Sequence, residues 1–285
     1  MGNMKPANHA KKQKRTLATA EGKIDYTLMN DMLFHMVMSK SKKALKGFRE
    51  SDVRSVKLLN TIDYTETLTK QIALDVRVEL NNRELIDIEI QVAKKQGWIN
   101  RSLLYLCRTF DNLQAAEDYE RIKPATHVGI LDFNLFPEHP EFYARYLMTN
   151  VKNGNVYTPN FALNVLSLKH IDKATAEDEA NSLVYWARLF KATTWEELKK
   201  LAEHSSAFEE VTDKMYKVNT DEQERYLIEA HEKYMLDMLT EKNARKRMER
   251  EARKLKRENK AQAQQLEAQA QEIERLRKQL AAAKR

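Results

Sequence analysis

The sequence predicts an α/β (α+β) protein that ends in a long helix. Three observations carry the prediction. Residues 75–80 and 85–92 alternate polar and apolar side chains, the period of a strand with two unlike faces. Apolar residues at helical spacing stand on either side of this pair, at Leu33, Phe34, Val37 and Met38 and again over 98–113. The last 65 residues, 221–285, contain neither Gly nor Pro. Only six Gly and five Pro occur among 285 residues, so helix should dominate.

The elements follow in order. Residues 1–24 read as a disordered basic arm, with six Lys and Arg against one acid over 1–23. A helix is expected over 30–50 and a short strand over 56–60. The two alternating strands come next, joined by the turn-forming Asn81, Asn82 and Arg83. Residues 98–119 should form a long helix, with Leu103, Leu104, Leu106, Cys107, Phe110 and Leu113 as its buried face and Cys107 a small core residue. Strands are expected over 126–133, 142–148 and 161–168, and helix from 177 onward.

The strand pair carries the chemistry. Side chains two apart share a face. Asp87, Glu89 and Gln91 therefore point one way, and Ile86, Ile88 and Ile90 the other. If the strands pair as a hairpin, Asp75 comes near Glu89. Carboxylates gathered in this way suit a hard divalent cation. The same alternation also marks the solvated face of an antiparallel sheet.

An Asp after a short apolar run, a turn, then Glu89-Ile90-Gln91 among isoleucines resembles the motif of the PD-(D/E)XK nucleases. Gln in place of the usual Lys is similar to the PD-(D/E)XK nuclease family transposases, the recombination-promoting type. Asn30-Asp31-Met32-Leu33-Phe34 resembles that family's opening helix. Arg101-Ser102-Leu103-Leu104-Tyr105 resembles its Arg-x-x-x-Tyr helix, and Tyr119, Ile122 and Pro124 resemble the segment that closes it. Residues 127–133 with Phe136 match the next strand. The similarity covers about residues 25–240. Three positions depart from the pattern: His35 stands where the family has Lys, Met38 where a second Phe is common, and Ala116 where it has Gly.

The resemblance implies a restriction-endonuclease-like core with a mixed central sheet flanked by helices. With the composition of the two ends, the chain divides into a basic arm (1–24), a nuclease-like core (25–170), a helical extension (171–219) and a long C-terminal helix (220–285). The resemblance also implies a DNA endonuclease that hydrolyses phosphodiester bonds, linked to recombination or a mobile element. Asp75, Glu89 and Gln91 are the catalytic candidates. Asp75 and Glu89 would hold Mg²⁺ (or Mn²⁺), with Gln91 in the place of the motif lysine. Lys94 or Lys95 then offers the missing cation. Asp31 is a further candidate ligand or an N-terminal helix acid, and Asp87 a supporting or solvent-facing acid. The alternative is a catalytically decayed core that acts as a dimeric interaction module.

Other chemistries lack their residues. The seven His are scattered, with no His-x-x-x-His and no Cys pair for zinc. There is no Gly-rich phosphate loop for a nucleotide cofactor and no Gly-x-Ser-x-Gly elbow. The single cysteine excludes a disulfide within the chain. No apolar run spans a bilayer, and the basic start is not followed by an apolar stretch, so no membrane partner and a cytoplasmic location are expected.

The formal charge of +7 lies at the ends, since residues 24–220 hold 26 basic and 28 acidic side chains. Residues 242–260 alone hold ten Lys and Arg against three acids, which suits DNA phosphates as well as a solvated rod. Thr220 followed by Gln223 reads as a capping box that opens the last helix. One heptad register places Met238, Arg245, Ala252, Asn259, Leu266, Ile273 and Leu280 at a, with Met248, Leu255, Gln262, Gln269 and Leu276 among the d positions. A homodimer through this helix is expected; a solvated single helix is the other reading.

Overall fold

The computed structural model describes residues 16–46, 53–59, 75–94 and 96–283. The expected arm over 1–15 and Lys95 lie outside these residues. The described chain divides into two compact units, 1–229 and 230–285.

The first unit is built on one mixed six-stranded sheet in the order β1-β2-β3-β4-β6-β5. Its strands are β1 (Val56–Leu58), β2 (Val76–Leu80), β3 (Glu84–Gln91), β4 (Ala125–Leu131), β5 (Tyr143–Thr149) and β6 (Val156–Ser167). The centre, β3-β4-β6, is parallel, and both edges are antiparallel. Asn81 and Asn82 adopt φ of 53° and 58°, which Asn tolerates better than other side chains, and close the β2–β3 hairpin. The Asn81 carboxamide oxygen also accepts from the backbone N–H groups of Arg54 and Ser55, which ties β1 to the turn.

One sheet face is apolar. Val76, Val78, Leu80, Ile86, Ile88, Ile90, Ile130 and Leu166 pack there. They meet α1 (Asp31–Ser39), α5 (Leu183–Lys191), α6 (Trp195–Ala202) and α7 (Ser206–Thr220) through Leu33, Phe34, Trp186, Phe190, Leu198, Val211 and Met215. The short helix α2 (Lys42–Lys46) adds Ala44 and Leu45 to this core, and a second short helix, α4 (Ala176–Ala180), precedes α5. The 171–219 segment is thus part of the same hydrophobic core as the strands. The helix expected over 30–50 is broken at Lys40, which ends α1, and restarts as α2. Residues 16–24, expected in the disordered arm, are folded: Ile24 is buried and donates to the Thr193 carbonyl, and the Gly22 N–H donates to Glu196.

The other face is covered by α3 (Trp98–Phe110). This helix ends nine residues before the expected Tyr119, because Asn112 takes over its last turn. The Asn112 amide donates to the carbonyls of Thr109, Phe110 and Lys123 and accepts from the Lys123 N–H. The helix meets the expectation only in part: Leu106 is buried and Phe110 packs beside it, but the rest of the expected face is turned away. Trp98, Ser102, Leu106 and Thr109 are buried, whereas Ile99, Leu103, Leu104 and Cys107 are exposed. Cys107 is therefore not a core residue. Arg101 and Tyr105 share the inward side with polar partners on the sheet, and this turns the most apolar arc outward.

The long helix is α8 (Glu222–Ala283), 62 residues in length. Its cap is Asp221, whose carboxylate accepts from the N–H groups of Gln223 and Glu224. Thr220, the expected cap, instead ends α7 and donates back to the Tyr216 carbonyl.

Candidate active site

The site is a set of polar rungs on the α3 side of the sheet. Antiparallel pairing sets Val76 opposite Ile88 and Arg77 opposite Asp87. One step further along, Asp75 falls opposite Glu89. Parallel pairing sets Asp87 beside His127, Glu89 beside Gly129 and Gln91 beside Leu131. One rung thus reads Arg77, Asp87, His127, and the next Asp75, Glu89, Gly129. Gln91 follows on the same face. This face is not solvated: all eight residues of β3 are buried, and Asp75, Glu89 and Gln91 are each 7% exposed.

Asp87 is fully buried rather than solvent-facing. Its carboxylate takes the Arg77 Nε at 3.2 Å and meets His127 Nδ1 at 2.9 Å. His127 Nε2 then points toward Glu89 Oε2 at 3.8 Å. Arg101 reaches down from α3 and is ion-paired with Glu89, and the same nitrogen donates to the Gln91 side-chain oxygen. Lys94, the cation expected from sequence, turns instead to the Asn134 carbonyl at 3.5 Å. Asp31 is exposed at the start of α1, which packs on the opposite face of the sheet from the rungs.

Gly129 makes room for the lid of the site. A Cβ there would stand 2.5 Å from the Trp98 ring, so only glycine lets α3 settle at this height. Trp98 and Tyr105 then lie 6.5 and 6.2 Å from the His127 ring, between centroids.

Concentrated acid shifts the titration. Burial, then the neighbouring Asp87 and Glu89 carboxylates, push the Asp75 carboxyl up from 3.8 to about 7, against the pull of His127 and Arg77. Burial, then Asp75, raise the Tyr105 phenol. A carboxyl whose pKa is raised by burial and then by neighbouring carboxylates is one that a bound cation relieves.

Among the described residues, no group of three or more His, Cys, Asp or Glu stands as a metal-holding cluster. That disfavours a zinc-like cage. Two carboxylates on adjacent strands, with the remaining positions left to water, are the donor set that Mg²⁺ accepts, so Asp75 and Glu89 fit such an ion.

His127, Arg77 and Arg101 are the members that sequence reasoning did not assign to the site. Each needs the strand register or the α3 packing to be placed there. The one available signal was Arg101 with Tyr105, a pair four apart that shares one helix face.

The chain matches the family of PD-(D/E)XK nuclease family transposases over residues 28–245 and belongs to it. No curated protein and no solved structure matches the chain. Membership supports a nuclease or transposase-like function. Among the described residues, no helix is long and apolar enough to cross a membrane.

Proposed function

We propose that the protein is a DNA endonuclease that hydrolyses phosphodiester bonds with Mg²⁺ (or Mn²⁺) and works as a homodimer joined through α8. The observation that carries the reading is the β2–β3 register, Val76 opposite Ile88, which continued by one residue brings Asp75 across from Glu89, with Gln91 on the same buried face. Asp75 and Glu89 would hold the ion. When bound, it would lower the pKa of a water and neutralise charge on the phosphate. The protein's own groups do the rest. Asp87 and His127 fix the rung beside Glu89. Arg101 offers a positive group beside Gln91, where the motif lysine of related nucleases would stand, and can steady the charge that develops on the phosphate. Trp98 and α3 keep bulk water from the carboxylates.

The test is cleavage of supercoiled plasmid by the full-length protein in Mg²⁺, with EDTA, Asp75→Ala and Glu89→Ala as controls. Loss of cleavage in all three supports the reading. Equal residual nicking in wild type and both variants overturns it.

A second reading, a decayed core kept for interaction, is favoured by one observation: a protein cation, Arg101, already neutralises Glu89. Thermal unfolding in Ca²⁺ separates the two. A stabilisation that Asp75→Ala abolishes supports a metal site, whereas none leaves the interaction module.

A further inference from the structure

Resting on the dimer reading above, we infer that 248–279 of α8 pair with the same residues of a second copy as a parallel, in-register coiled coil.

Met248, Leu255, Leu266, Ile273 and Leu276 are 51–63% exposed in the single chain. All five occupy a or d positions of one heptad register. They form an apolar seam, interrupted by Asn259, Gln262 and Gln269, on a helix whose other surface is charged, and a second helix buries such a seam.

Charge decides the orientation. In a parallel pair each g residue faces the e residue of the following heptad on the other helix. Glu251 at g then meets the partner's Lys256, and Glu272 meets the partner's Arg277. The remaining g–e pairings along the seam set no like charges together. An antiparallel pair sets g against g and e against e, which brings the acidic Glu251, Glu258 and Glu272 positions against one another and Lys256 and Arg277 likewise. Glu272 also has Arg275 at 3.7 Å on its own helix, but this pair is exposed and contributes little. Asn259 at a meets its own copy only when the helices are parallel and in register.

The same pairing orders the basic stretch. Of the ten Lys and Arg in 242–260, seven fall at b, c or f. They stay on the outside of the pair, where duplex phosphates can reach them.

The experiment uses full-length protein carrying Cys107→Ser. Sedimentation equilibrium should show a dimer at micromolar concentration. Glu251→Lys with Glu272→Lys should weaken that dimer about tenfold, and mixing it with Lys256→Glu plus Arg277→Glu protein should restore a heterodimer. Leu276→Cys, at d, should form an interchain disulfide under mild oxidation, and Lys278→Cys, at f, should not. A monomer at tens of micromolar overturns both the dimer and its register. A dimer that leaves Leu276→Cys uncrosslinked overturns the parallel register alone. Neither result bears on cleavage, which the plasmid assay reads separately.

Discussion

Arg101 of α3 is ion-paired with Glu89 of β3, and the same nitrogen touches the side-chain oxygen of Gln91. A helix cation therefore stands beside Gln91, the residue in the place of the lysine in the motif that the strand resembles. It also competes for the carboxylate that a metal would use.

Both roles can be separated. Arg101→Ala should lower the cleavage rate by about 10²–10³-fold while reducing the Mg²⁺ concentration needed for half-maximal rate. Arg101→Lys should restore part of the rate. Measured rates and Mg²⁺ dependence that match wild type would leave Arg101 a structural tie between α3 and the sheet.

Asp75 should make the native state less stable at neutral pH. Its folded carboxyl titrates at about 7 against 3.8 in a free chain. Between those values the folded protein holds a proton that the unfolded chain releases, so this contribution to stability falls as pH rises through the window. Asp75→Asn should be more stable than wild type at pH 8 by roughly 2–4 kcal/mol, and the gap should close toward pH 4. Urea unfolding at both pH values reads this. A variant no more stable at pH 8 would mean that neighbouring cations already balance the carboxylate.

His35 predicts the opposite slope. It is 1% exposed in α1, and burial, then Lys40, lower its pKa from 6.5 to about 4. The unfolded chain takes up a proton there as pH falls below 6.5, before the folded chain can, so acid removes stability. The loss between pH 7 and pH 5 should be about 2 kcal/mol. His35→Leu should remove this loss, so that the variant gains about 2 kcal/mol on wild type between pH 7 and pH 5; a difference between the two that stays constant with pH would place the source elsewhere.

Ala116 is strained. Its φ is 68°, a left-handed conformation costly for a residue with a Cβ. The side chain is exposed, so little packing is at stake. Ala116→Gly should stabilise the protein by about 0.5–1 kcal/mol, seen as a higher midpoint in urea. A lower midpoint would show that backbone entropy outweighs the relieved strain.

The sequence by itself determined the strands and much of the polar rung. Period-two alternation over 75–92 separates Asp87, Glu89 and Gln91 from Ile86, Ile88 and Ile90 whatever the rest of the chain does, because the pleat alone sends neighbouring side chains to opposite faces. The absence of Gly and Pro after 220 likewise determined a long helix locally. Only the tertiary structure decided what covers the rung. Periodicity marked Leu103, Leu104 and Cys107 as the inner face of α3, yet the helix turns Arg101 and Tyr105 inward. Burying acids requires partners, and the buried carboxylates of β3 outweigh the apolar gain from a few leucines. His127 joins the site only because β4 lies parallel to β3 in a register that sets it beside Asp87. Such a pairing brings together residues forty apart, and no local pattern in either strand encodes it.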